Sequence, residues 1–180
     1  MAFNCVDIET FKSDLENNII VAQKLKTDSH ATIKIQSQLN ITIYALATRF
    51  LEGSIKHIIY NCAIMRGDSP AQITALENEL KKINNPEYAN IREEFRRLLG
   101  FDIVQGFNSH RFSARDISLL NEIVMNRHKN VHASHDPIDW YSKNLKDIIN
   151  DFPKEYVGLI NILTYLDSIT FDSATRSFKD

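Results

Sequence analysis

LNITIYALATRFLEGSIKHIIYNCAIMR, residues 39–66, is the stretch whose reading decides the fold. Leu39, Ile43, Leu46, Phe50, Ile55, Ile58 and Cys62 recur mostly at three- and four-residue steps. That period places them on one face of a helix and is foreign to a strand, which alternates every second residue. Upstream the same helix extends to about His30 through more polar residues. Some alternation of β-branched residues over Ile33 to Tyr44 leaves a strand there as the lesser alternative. Downstream, Gly67-Asp68 is a common kind of helix ending.

The segments on either side read the same way. Before it, Asp7 to Lys26 carries Phe11, Leu15, Ile19, Ala22 and Leu25 at helical spacing, and Thr27-Asp28-Ser29 supplies a break and a cap. After it, Ser69-Pro70-Ala71-Gln72 is a capping box with proline at the first helical position, predicting a helix to about Ile83. Asn84-Asn85-Pro86 is a second start signal, opening Glu87 to Leu99, which Gly100 closes. Residues 101–112 show no clear period and are expected to be a loop. Ser113-Ala114-Arg115-Asp116 starts another helix, faced by Ile117, Leu120, Ile123, Val124 and Val131. It should end near Ala133, ahead of the breaker Ser134-His135-Asp136-Pro137. Two more helices are predicted. Trp140 to Asn150 buries Leu145, Ile148 and Ile149, and the helix after Pro153, running to about Thr170, buries Tyr156, Leu159, Ile160, Leu163 and Leu166. The tail from Asp172 to Asp180 is expected to fray. The fold class is all-α: one domain over residues 1–180, a helical bundle of four or more core helices plus short ones.

Composition sets limits on function. The 180 residues are 43% hydrophobic and 24% charged, proportions of a globular chain with one sizeable core. The net charge is −2 and the pI about 6.3, so there is no global basic field to attract nucleic acid, and any positive potential must be local. Cys5 and Cys62 sit beside apolar residues and form no CxxC pair, so both are expected to be buried thiols, as in a reducing cytoplasm. The N-terminus lacks the layout of a signal peptide, and no apolar run is long enough to span a bilayer. A soluble cytoplasmic protein with no membrane partner is expected.

The chemically informative stretch is LLNEIVMNRHKNVHASH, residues 119–135. With Arg115, six residues here are cationic or can become so, and they gather toward the end of a predicted helix, where the macrodipole favours positive charge. Arg127-His128-Lys129-Asn130-Val131-His132 resembles the motif of HEPN domains: Arg, a polar residue, three residues, then His. Two further segments are similar to the RiboL-PSP branch of that family. One is Asn85-Pro86-Glu87-Tyr88-Ala89-Asn90-Ile91 running to Leu99-Gly100; the other is Ala47 to Lys56, with Glu52 inward. Together the resemblance covers about residues 38–170.

The resemblance implies a HEPN-like bundle and a metal-independent endoribonuclease leaving 2′,3′-cyclic phosphate ends, with no cofactor. His132 would be the general acid or base, its pKa lying near working pH. Arg127 would hold phosphate oxygens through its planar fork. His128 or Asn126 would orient the phosphate or leaving oxygen, and Lys129 and Asn130 would contact RNA. A homodimer with a composite site is implied, as is an antitoxin or defence-system partner protein. A non-catalytic HEPN module binding RNA, nucleotide or protein is the alternative. Positions five apart on an ideal helix differ by roughly 140°, so a tightened last turn would be needed to bring Arg127 toward His132.

Other readings compete at several positions. Glu52, in an apolar stretch, can pair with Arg127, with Arg49 or with Lys56, or lie exposed. Arg92, Arg96 and Arg97 read first as a solvated face with Glu93 and Glu94, and second as an RNA track. Trp140 and Tyr141 suit packing better than base stacking. A zinc site from His128, His132 and His135 lacks a fourth ligand, so no metal is expected.

Overall fold

The computed structural model describes Phe3 and residues 5–25, 33–131 and 145–179. Within these the chain forms α1 (Val6–Leu25), α2 (Ile33–Arg66), α3 (Pro70–Leu80), α4 (Tyr88–Leu99), α5 (Val104–Asn108), α6 (Ala114–Val131) and α7 (Leu145–Asp167). A two-stranded antiparallel hairpin, β1 (Thr170–Asp172) and β2 (Ser177–Lys179), follows. The architecture is the expected all-α bundle. No helix among the described residues is long and apolar enough to cross a membrane.

α2 is the axis of the fold. It packs against α1 on one side and α6 and α7 on the other, while α6 and α7 pack on each other. Its buried face is wider than the predicted stripe: Ile43, Tyr44, Ala47, Phe50, Leu51, Ile55, Ile58, Ile59, Cys62 and Ala63 are all buried. A helix contacted from both sides must bury more than one narrow stripe. The segment from Ile33 to Tyr44 is helical, so the strand alternative fails.

The capping signals are realised. The Ser69 N–H donates to Gln72 Oε1 at 2.8 Å, and the Gln72 N–H donates to Ser69 Oγ at 3.4 Å, a reciprocal box at the start of α3. Gly100 ends α4 in the left-handed region at φ 68°, where a Cβ would be strained. The Ser113 N–H and hydroxyl both donate to Asp116 Oδ2 at 2.7 Å, while the Asp116 N–H donates to Ser113 Oγ at 3.2 Å. That box starts α6 where the sequence predicts.

Three expectations are corrected. Residues 101–112 contain the short helix α5, and Phe101, Ile103 and Phe112 are buried, so the segment is a packed corner. Its apolar residues follow no helical period because they are covered from several directions. Second, Pro153 does not separate two helices: α7 runs through it from Leu145 to Asp167. Proline costs one backbone hydrogen bond there. The turn is held by Phe152, which is fully buried, meets Tyr44 edge-on at 5.4 Å and stacks with Tyr156 at 6.3 Å. The predicted start at Trp140, and the side chains of Leu145, Ile148 and Ile149, lie outside the described residues.

Third, the tail does not fray but pairs. Phe171 lies opposite Phe178 across the hairpin, with ring centroids 5.0 Å apart, and Phe178 meets buried Phe101 at 6.2 Å. Asp172 closes the turn by accepting from the Ala174 N–H at 2.9 Å and by pairing with Lys179. A hairpin this short survives because its aromatic pair docks on the core.

Candidate functional site

Of the predicted site residues, Asn126 to Asn130 ride on α6 and Glu52 on α2, and the apolar face of α6 sets the exposure of Asn126, Arg127 and His128. Leu120, Ile123 and Val124 are fully buried. One turn on, Asn126 and Arg127 follow Ile123, and Arg127 and His128 follow Val124, so all three continue the inward side. Asn126 is 5% exposed, and its side-chain amide donates to the Glu122 carbonyl at 2.9 Å. Arg127 and His128 are half-buried. His128 Nε2 lies 3.3 Å from Asn85 Oδ1.

That contact joins two stretches far apart in sequence. α4 has no cap from its own N-cap residue, Glu87. Its first N–H, on Tyr88, instead donates to Asn121 Oδ1 on α6 at 2.9 Å. Asn85 also accepts, through its backbone carbonyl, from the Asn90 amide at 3.0 Å. The chain entering α4 is therefore docked on α6 at two points, Asn85 on His128 and Tyr88 on Asn121. It holds the lower half of α6 and the start of α4 in one register.

Arg127 is engaged differently. Among the described residues no ion pair or side-chain hydrogen bond occupies its guanidinium. Glu52, for which Arg127, Arg49 and Lys56 were the possible partners, pairs with Lys56 one turn along α2, at 2.6 Å. The predicted Glu52–Arg127 pair is thus not formed among the described residues, because an i,i+4 Lys offers the carboxylate a nearer partner. The planar set of donors on Arg127 is thus not taken up by any described side chain. His132, the zinc alternative His128–His132–His135, Trp140 and Tyr141 all involve positions outside the described residues, as do the side chains of Lys129 and Asn130.

The basic run on α4 is internally neutralised. Arg92 grips Asp102 with two hydrogen bonds of 2.7 Å, and Arg97 meets Glu79 at 2.7 Å and Glu94 at 2.5 Å. Arg96 stands 3.8 Å from Asp102. These arginines tie α4 to its neighbours rather than forming an open track. A cleft of about 680 Å³, lined by Arg66, Phe101, Asp102, Phe171, Arg176 and Phe178, opens beside the hairpin and includes none of the predicted site residues.

The sequence reading overlooked a buried carboxylate. Glu155 is 1% exposed on α7 and accepts a hydrogen bond from the Tyr44 hydroxyl at 2.8 Å. A carboxylate so deep requires such partners. The signal was present: Phe152, Glu155, Leu159 and Ile162 share one helical stripe, with Glu155 at a core position. Cys62 is buried as expected, and burial pushes its thiol up to about 12, whereas Cys5 is only half-buried.

No protein-family model matches the chain, and no curated protein or solved structure matches it significantly.

Proposed function

We propose that the protein is a HEPN-type endoribonuclease that cleaves RNA to 2′,3′-cyclic phosphate ends without a metal ion, serving a toxin–antitoxin, phage-defence or stress system. The observation carrying this reading is Arg127, half-buried beside His128 near the end of an 18-residue helix, with its guanidinium unengaged by any described side chain. A half-buried cation left open in this way suits an anionic ligand better than a structural ion pair. The docking of Asn85 on His128 adds support, since it brings together two of the segments that resemble the family.

In this mechanism Arg127 binds the non-bridging oxygens of the scissile phosphate and stabilises the charge that builds on them. His132 takes the proton of the 2′-hydroxyl, or gives one to the departing 5′-oxygen. His128, fixed by Asn85, orients the phosphate, and Asn126 holds the turn that carries both. A second protomer would supply the opposing motif across a twofold axis.

The test is cleavage of a mixed RNA pool in EDTA by the protein and by its His132→Ala and Arg127→Ala variants. Fragments with cyclic phosphate ends are expected from the unaltered protein. Loss of a general acid–base group should lower the rate by roughly 10²–10⁴-fold in folded His132→Ala. Undiminished cleavage by that variant would overturn the mechanism.

A second reading, a HEPN module that binds RNA, a nucleotide or a partner protein without cleaving, is favoured by the charge pattern. The net charge is −2 and the arginines of α4 are spent on internal carboxylates. Retention of RNA without turnover, by a folded dimer at any concentration, would select it.

A further inference from the structure

We propose that Cys5, Asp7 and His57 form a three-ligand site for a zinc-class divalent ion, completed by water, that clasps the start of α1 to the middle of α2. Their donor atoms, one thiol sulfur, one carboxylate oxygen and one imidazole nitrogen, all lie within 4.8 Å of one another. His57 Nδ1 and Asp7 Oδ2 are 3.7 Å apart. An imidazole nitrogen and a carboxylate oxygen on a tetrahedral zinc ion, with bonds of about 2.0–2.2 Å, stand roughly 3.3–3.5 Å apart, so the pair is within a few tenths of an ångström of ligand spacing. Small side-chain rotations close the remainder.

The packing of α1 on α2 explains the convergence. An ideal Cβ on Gly53 would lie 2.9 Å from the Phe11 ring, so the glycine leaves room for that ring between the helices. The helices run in opposite directions there: one turn back from Phe11 is Asp7, and one turn on from Gly53 is His57. The Phe11 ring lies tilted against the His57 imidazole at 6.2 Å and limits its rotation. Cys5 precedes the first helical turn, and its carbonyl accepts from the Glu9 N–H at 3.2 Å, which ties the residue to that turn. Glu9 is itself occupied by the Phe3 N–H and by Lys12.

The donor set selects the ion. A thiolate with an imidazole suits a borderline or soft metal and disfavours calcium and magnesium, which take oxygen ligands. Binding releases the thiol proton to solvent, so affinity falls as pH is lowered. All three side chains are at least partly open to solvent, leaving room for entry and for a bound water. The only other thiol, Cys62, is buried in the core and is no competitor.

The experiment uses the whole protein, stripped with EDTA, kept reduced, and titrated with cobalt(II) as a spectroscopic probe. One equivalent should bind with a thiolate-to-cobalt charge-transfer band, and zinc should displace it. Cys5→Ser should abolish the band and His57→Gln should weaken binding at least tenfold, with helix content unchanged in both. Zinc should raise the melting temperature of the protein but not that of Cys5→Ser. Absence of the band at saturating cobalt, its persistence in Cys5→Ser, or unaltered affinity in His57→Gln would each overturn the proposal. The result is independent of RNA cleavage, which is assayed in EDTA.

Discussion

Replacing Gly158 by alanine sets two effects against each other. Gly158 is buried inside α7, and alanine there should gain about 1 kcal/mol in helix propensity. A Cβ at this position would stand 2.9 Å from Leu119 Cβ, 3.1 Å from Leu119 Cδ1 and 3.2 Å from Asp116 Cα on α6. Carbon atoms prefer about 3.5–4.0 Å, so the shortfall is roughly 0.6–1.1 Å. Leu119 Cβ and Asp116 Cα are fixed to the backbone, so no rotamer change relieves the clash, and α6 must move off α7. Overpacking of this kind costs about 1–3 kcal/mol, and here the upper half applies. The net expectation is a loss of about 1–2 kcal/mol, or a melting temperature lower by roughly 2–8 °C for a chain of this size. Urea titration followed by circular dichroism gives the midpoint, and the helical signal without urea should be unchanged. A midpoint equal to or above that of the unaltered protein would refute the reasoning, because propensity would then outweigh contact.

Two further predictions concern the corner between α4 and the hairpin. The hydrogen bonds from Arg92, helped by the Val104 N–H and the nearby Arg96, hold the Asp102 carboxyl down to about 2 against the opposing effect of partial burial. A depressed folded-state pKa stabilises above the ordinary value of 3.8, and the benefit is lost as pH falls toward 2. The urea midpoint should therefore drop between pH 4 and 2 more steeply in the unaltered protein than in Asp102→Asn; parallel curves would show that the Arg92 grip carries no stability. Phe178→Ala should cost about 1–2 kcal/mol, less than the roughly 3–5 for a fully buried ring, since Phe178 is only half-buried. Amide hydrogen exchange over residues 170–179 should accelerate, and unchanged protection there would mean that the turn, not the aromatic pair, holds the hairpin.

The helices were legible wherever local chemistry was self-sufficient. Ser69 with Gln72 and Ser113 with Asp116 announce helix starts within four residues, and Gly67 and Gly100 announce ends through a conformation glycine tolerates best. Misreadings fell where distant contacts overruled local signals. Pro153 looks like a break, but Phe152 against Tyr44 holds the helix through it. Residues 101–112 look like a loop, but Phe101, Ile103 and Phe112 are drawn into the core. Of the candidate site, the placement of Arg127 and His128 on α6 was legible. For Glu52 a pair with one of three cations stood beside an exposed reading, and among the described residues it pairs with its i,i+4 neighbour Lys56. The burial of Glu155 and the approach of Asn85 to His128 were not foreseen.

What the sequence determined by itself was the period of each helix, its caps, the apolar face of α2 and the cationic end of α6, because these depend on neighbours one turn away. Tertiary structure alone decided which faces meet. The 3.3 Å contact between Asn85 and His128 spans 43 residues, and the Tyr44–Glu155 bond spans 111. The convergence of Cys5 and Asp7 with His57 depends on the close approach of α1 at Gly53. Helical periodicity says which side of a helix is buried, but the partner is chosen by how several helices fill a common core at close packing. That choice belongs to the whole chain and to no single segment of it.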